Sequence, residues 1–231
     1  IQTENSFENP IISHLSSVIS VTSVASSINS VFGEKHIPMR ANFVFLFVLM
    51  AGLTCGSLGA PCAAADGKRY VIIHADDAGM SHSVNRATID AMEQGIVSSA
   101  SIMVPCPWFK EIAAYAKSQP DKDFGIHLTL NSEWDNYRWG PVTSRDQVPS
   151  LIDKEGYLWD NVAQVAENAK ASEVATELRA QVQRALDFGV PVTHLDTHMG
   201  ALVSRPDLVE AYVNVGVEFK IPVFFLRDLG S

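Results

Sequence analysis

Apolar runs alternate with amphipathic segments from residue 70 onward. Apolar runs are typical of buried strands, and apolar residues repeating every three or four positions are typical of helices. Helices are expected between the strands, except at 131–169, where we expect a long irregular segment. This β-α-β-α-β-loop-α-β-α-β order predicts a parallel α/β fold, either an open doubly wound sheet or part of a β/α barrel. The five predicted strands cover 70–73, 97–104, 124–130, 191–195 and 222–226.

Capping residues indicate where the predicted helices begin and end. Ser81 or Ser83 can cap the first helix, because a serine hydroxyl can accept a hydrogen bond from a free amide of the first turn. That helix is predicted to end at Gly95, since glycine readily adopts the conformation that terminates a helix. By the same reasoning, later helices are predicted to end at Gly189 and Gly216.

The first 65 residues differ in pattern from the rest of the chain. A basic residue, Arg40, precedes an apolar run of 11 residues at 43–53, and small residues then lead to Ala65. This order is typical of a secretory signal peptide. The run is short against the roughly 20 residues that span a bilayer, although an uncleaved anchor stays open.

These features predict three regions. We expect residues 1–38 to be an upstream non-native extension and residues 39–65 to be a signal peptide cleaved near Ala65. Residues 66–231 are then the α/β domain, secreted or periplasmic and without a stable membrane anchor. Cys106 is the single cysteine of that region, so an internal disulfide is not expected.

Charge and composition exclude some classes of partner. The net charge is −9, hydrophobic residues make up 47% of the chain, and no run of Lys or Arg occurs. Nucleic acid is therefore not an expected partner, because binding to phosphates needs concentrated positive charge.

Polar residues interrupt the apolar pattern in three blocks, at 74–79, 125–130 and 193–200. We expect each block at the carboxyl end of a parallel strand, and such ends share one edge of the sheet. Imidazoles and carboxylates gathered there could bind a divalent first-row metal. Adjacent aspartates suit such a site, because Asp76 and Asp77 can point in different directions and take different roles.

Each block also has a structural interpretation. The Asp76-Asp77 pair could serve only as a loop and helix-cap feature. His127 could be a hydrogen-bonded core residue. His194 and His198 could form a structural pair bonded to Asp196.

Together the blocks His74-Ala75-Asp76-Asp77-Ala78-Gly79, Gly125-Ile126-His127-Leu128 and Thr193-His194-Leu195-Asp196-Thr197-His198 resemble the signature of the YdjC-like carbohydrate deacetylases of the chitooligosaccharide deacetylase type. The resemblance covers about residues 69–231. It implies a seven-stranded parallel β/α barrel, one bound divalent metal, and hydrolysis of N-acetyl groups from amino sugars or oligosaccharides.

The resemblance also implies residue roles. Asp77, His127 and His198 would bind the metal, and Asp76 would be the catalytic base. Asp196 would be a neighbouring support that orients an imidazole, while His194 would be structural. Two His and one Asp permit zinc, manganese, cobalt or nickel; the resemblance adds magnesium, so Mg or Zn is the expected cofactor.

This chain departs from the family pattern at two places. Family members often carry another His where this chain has Gly200, and they carry a late His-Pro-Gly block that does not occur before Ser231. We therefore expect a C-terminally incomplete barrel with about five of seven strands. Activity, metal identity and the length and linkage of the sugar stay open.

The long segment 131–169 is expected to contact the substrate. Trp134, Tyr137 and Trp139 offer aromatic faces for sugar rings, although they could instead form a local core. The expected partner is an N-acetylated saccharide, and homodimerisation stays open. Two other functions stay open as well. One is a different metal-dependent hydrolase, such as a phosphoesterase, and the other is an inactive saccharide-binding fragment.

Overall fold

The computed structural model describes residues 71–225. The predicted extension at 1–38 and the signal peptide at 39–65 lie outside the described residues. Within 71–225, no helix is both long enough and apolar enough to cross a bilayer.

Four parallel strands form one sheet in the order β1-β2-β3-β4. Beyond β4, Val223 forms a parallel bridge with Leu195, which is where the predicted fifth strand would lie. A doubly wound sheet reverses its strand order at a switch point, and the described sheet does not. The four strands thus follow one another in chain order across the sheet. The strands are β1 His74–Ala78, β2 Ser99–Ile102, β3 Asp123–Leu128 and β4 Val192–Thr197.

Helices connect successive strands, as expected for parallel pairing. Right-handed crossovers between sequential strands place such helices on one face of a sheet. Two short 3-10 helices, Pro149–Leu151 and His198–Val203, lie in the connections. The α-helices are α1 His82–Gln94, α2 Phe109–Ser118, α3 Val162–Asn168, α4 Ala171–Asp187 and α5 Pro206–Phe219.

The first strand begins later than its apolar pattern predicts. Residues 71 and 72 are each 65% exposed. The prediction of a strand at 70–73 that is buried on both faces is therefore wrong for residues 71–73, which are the ones that the structure describes. The polar block itself forms β1. His74 Nδ1 lies 2.8 Å from the hydroxyl of Ser99 on β2. This hydrogen bond satisfies the polar His74 ring within the sheet, so a polar residue can form part of the strand.

Three of the predicted helix boundaries are confirmed and one is wrong. Gly189 follows the end of α4 with a φ of 82°. Ser81 caps α1 by accepting a hydrogen bond from the amide of Val84 at 3.2 Å, and α1 ends at Gly95. Gly216 lies inside α5, which ends instead at the left-handed Lys220. A side chain at Gly216 would overlap Val223, so glycine allows this close approach rather than ending the helix.

Tyr212 fixes α5 against the last described strands. Its buried hydroxyl donates to the carbonyl of Leu195 at 2.7 Å and lies 3.0 Å from the carbonyl of Phe224. Phe224 in turn donates its amide to Leu195 at 2.7 Å. This contact holds β4 in place, and β4 carries most of the polar block at 193–200.

Candidate metal centre

Three of the predicted site residues meet at the carboxyl ends of the strands. Asp77 comes from β1, His127 from β3 and His198 from the turn that follows β4. Asp77 Oδ1 lies 3.4 Å from His127 Nε2 and 3.2 Å from His198 Nδ1. One ligand atom from each residue lies within 4.8 Å of the others, which is close enough for all three to bind one ion.

The backbone aims these side chains through unusual turns. Asp77 has a φ of 63°, a left-handed conformation that few residues other than glycine adopt. Met199 and Gly200, which follow His198, are left-handed as well, with φ of 50° and 70°. Gly200, where the resemblance implies another His, therefore occupies a turn that suits glycine. Such strain is commonly retained where it positions functional groups.

The carboxylate of Asp77 fits a bound metal. Its Oδ1 is buried and has no hydrogen-bond partner of good geometry, although two imidazole nitrogens face it. A buried carboxylate oxygen without a partner is costly, and a cation between it and the two rings would compensate it. One carboxylate and two imidazoles also form a ligand set that many divalent ions accept.

Asp196 lies behind the cluster and contacts two histidines. Its Oδ1 lies 2.7 Å from His127 Nδ1, and its Oδ2 lies 3.1 Å from His74 Nε2. Because both oxygens already have partners, the alternative cluster of His74, His194 and Asp196 is a poorer cation site. The position of Asp196 is that of a group that orients His127.

Asp76 lies next to this network but faces solvent. Its side chain is 59% exposed, and its Oδ1 lies 3.3 Å from His74 Nε2. It also groups with His127 and Asp196 within 4.8 Å. An exposed carboxylate next to the cluster can be reached by water and by a substrate.

Glu133 is a site residue that sequence analysis missed. Its two carboxylate oxygens lie 3.1 and 3.2 Å from His198 Nε2. It belongs to the irregular segment after β3, where no periodic pattern indicates which side chains point inward. Its place between Ser132 and the predicted substrate-binding Trp134 was the only signal available.

Charges shift the pKa values of the cluster in the metal-free protein. Burial alone would lower the pKa of His198, but the neighbouring carboxylates of Asp77 and Glu133 outweigh it and raise the pKa to about 9. The pKa of Asp77 is lowered, mainly by its interaction with His198. Burial would raise the pKa of Asp196, but the hydrogen bonds from His127 and His74 hold it well below its usual range. These carboxylates are therefore ionised at neutral pH.

His194 lies outside the cluster and packs against β3. Its Nδ1 lies 2.9 Å from the hydroxyl of Thr193, and its ring occupies the space that a side chain at Gly125 would need. His194 also contacts the ring of His74, with centroids 5.2 Å apart. This packing is consistent with the structural role predicted for His194.

The three aromatic residues predicted to contact substrate differ in exposure. Trp134 is 50% exposed, whereas Trp139 is only 3% exposed and donates its indole N–H to the carbonyl of Asn131 at 3.0 Å. Tyr137 is partly buried and donates its hydroxyl to the carbonyl of Met80. Trp134 therefore offers the most accessible aromatic face of the three.

Comparisons with known proteins show which family this chain is similar to. The model of the family described as YdjC-like protein matches residues 70–230. A carbohydrate deacetylase of Thermoanaerobacter pseudethanolicus is 30% identical over 155 residues, which are 67% of this chain and 59% of that protein. A carbohydrate deacetylase of Thermus thermophilus is 36% identical over 155 residues, which are 67% of this chain and 53% of that protein.

A solved structure shares the fold. It is a protein of Enterococcus faecalis V583, provisionally described as a cellobiose-phosphate cleavage protein, and its TM-score is 0.62 at 28% identity. The match covers 68% of this chain and 59% of that one. The chain thus spans less than two thirds of the length of these relatives. Since the family match extends over more than half of its residues, the chain belongs to the YdjC-like protein family.

Proposed function

We propose that this protein is a metal-dependent hydrolase that removes N-acetyl groups from amino sugars or oligosaccharides. The observation that carries the proposal is the grouping of Asp77, His127 and His198 around a buried carboxylate oxygen that lacks a hydrogen-bond partner. Two relatives named carbohydrate deacetylase support the reaction class. Because this chain spans only part of their length, the activity of the whole protein is part of the proposal.

The chain's own residues divide the work of such a reaction. Asp77, His127 and His198 would hold the divalent ion, with Mg or Zn the expected identity. A bound divalent ion supplies Lewis acidity, which activates water and polarises an amide carbonyl. Asp76, exposed beside the cluster, would accept the proton that the attacking water loses. Asp196 would keep the His127 ring oriented through its 2.7 Å hydrogen bond.

The proposal also covers the architecture of the domain, the sugar contact at Trp134 and the location of the protein. We propose that the four described strands and the bridge at Val223 belong to a seven-stranded β/α barrel, because their order is sequential and has no reversal. Trp134 would contact a sugar ring with its exposed aromatic face. The signal-peptide pattern at 39–65 supports a secreted or periplasmic location, where such saccharides are met.

Acetate release tests the proposal directly. The full chain would be incubated with N-acetylglucosamine oligomers in chelator, and then with Mg²⁺ or Zn²⁺ restored. We expect acetate only with the metal and none from the Asp77→Ala variant. Phosphate release from a phosphate monoester, measured in parallel, tests the alternative phosphoesterase activity. A folded, metal-loaded sample that releases no acetate would contradict the proposal.

A further inference from the structure

The carboxylate of Glu133, which contacts His198, is also held by a hydrogen bond from Asn131. The side-chain amide of Asn131 donates to Glu133 Oε2 at 3.1 Å, and Asn131 itself is completely buried. The backbone carbonyl of Asn131 accepts the indole N–H of buried Trp139 at 3.0 Å. The side chain of Glu133 is only 24% exposed. Its carboxylate therefore has a defined position rather than the freedom of a surface group.

The two imidazoles of the cluster are held in the same way. In His127, Nδ1 bonds Asp196 and Nε2 faces Asp77. In His198, Nε2 bonds Glu133 and Nδ1 faces Asp77. Each ring thus has a carboxylate on the nitrogen opposite the one that faces Asp77.

A carboxylate at one nitrogen of an imidazole fixes both the ring and its tautomer. The bonded nitrogen keeps its proton, so the opposite nitrogen presents a lone pair to a cation. The carboxylate also raises the basicity of that ligand nitrogen. Removing such a partner usually weakens metal binding about 10–100-fold.

From this geometry we infer that Glu133 is a positioning residue that holds the His198 ring with Nδ1 directed at the metal centre. The inference rests on the proposed function, because it assigns Glu133 a role toward the metal of that site. Glu133 acts through His198 and does not itself bind the ion. Its role matches that of Asp196 toward His127.

Two measurements on the full chain test this role, each on the wild type, E133A and E133Q. The first is the Co²⁺ dissociation constant, obtained by chelator competition together with the visible absorption spectrum of bound Co²⁺. The second is the imidazole N–H proton resonance of His198 in metal-free protein, assigned by its loss in H198Q. The matched control is D135A, which removes an exposed carboxylate two residues along the same segment.

We expect E133A to weaken Co²⁺ binding about 10–100-fold and to lose the His198 Nε2–H resonance through rapid exchange with water. E133Q should recover most of the affinity, because a glutamine oxygen placed at Oε2 can still accept from both His198 and Asn131. D135A should bind like the wild type. Melting temperatures of the variants separate this effect from a loss of folding.

Other results would overturn the assignment. If E133A binds Co²⁺ like the wild type and keeps the resonance, Glu133 does not position the ring. If E133Q binds as weakly as E133A and the Co²⁺ spectrum changes in both, Glu133 is itself a ligand. If the folded wild type binds no Co²⁺, the proposed metal site fails, and the resonance alone then decides whether Glu133 holds the ring.

Discussion

Asp196 Oδ1 lies 2.7 Å from His127 Nδ1 in a buried hydrogen bond, which leaves His127 Nε2 directed at Asp77. Because the two residues are 69 positions apart in sequence, this pair depends on β3 and β4 lying side by side. The second oxygen of Asp196 bonds His74 from β1. One carboxylate therefore joins three strands beneath the candidate metal centre.

Substitution of the two adjacent aspartates should separate metal binding from turnover. Asp76→Asn should keep the metal and lower kcat about 10²–10⁴-fold, because it removes the expected base. Asp77→Asn should instead reduce the metal content, since it removes a charged ligand from the cluster. Metal analysis of the purified variants, together with acetate release, checks both expectations. Loss of metal from the Asp76 variant would show that the two roles are assigned the wrong way round.

The contribution of His74 to stability should depend on pH. Burial by itself lowers the pKa of His74, but the hydrogen bond and the charge of Asp196 outweigh it, and the pKa is raised above the ordinary 6.5. A raised pKa in the folded state means that the charged ring stabilises the fold fully below pH 6.5. That stabilisation is lost as the pH rises through the folded-state pKa.

Thermal unfolding in chelator should show this dependence in the difference between wild type and His74→Gln. We expect the gap in melting temperature to be largest near pH 6 and to shrink toward pH 9. Chelator in every sample removes any contribution of bound metal. A gap that widens with rising pH would mean that His74 is neutral in the folded protein.

Gly125 and His194 should be energetically coupled. A Cβ at Gly125 would lie 2.6 Å from His194 Cε1, so Gly125→Ala should force the ring to shift and should cost about 1–3 kcal/mol. His194→Ala opens that space, and the double variant should be less destabilised than the sum of the two single variants. Urea unfolding of all four proteins measures the coupling. Strict additivity would show that the ring moves away without cost.

Glu177 should anchor the segment that carries Glu133 and Trp134. It is completely buried, and its oxygens accept the amides of Val142 and Thr143, each at 2.9 Å. Glu177→Ala leaves both amides without their partner and should cost about 2–6 kcal/mol, at about 1–3 kcal/mol for each lost partner. Urea unfolding measures the loss. Glu210→Ala, at an exposed position on α5, should change stability by less than about 0.5 kcal/mol.

Periodicity predicted most of the elements because it reflects interactions within a few residues. The cap at Ser81 and the end of α1 at Gly95 follow from local hydrogen bonding and are confirmed. Gly216 was predicted as a helix end, but it lies where α5 approaches Val223. The sequence alone does not reveal that contact, because it depends on how a helix packs on a strand.

The pattern of strands predicted that three polar blocks would meet, because parallel strands present their carboxyl ends at one edge of a sheet. Within those blocks, the resemblance to the YdjC-like family singled out Asp77, His127 and His198, whose ligand atoms lie together in the structure. Which carboxylate supports which imidazole ring depends on packing between distant parts of the chain. Glu133 lies 65 residues from His198 in an irregular segment, and contacts at that separation depend on packing rather than on local pattern.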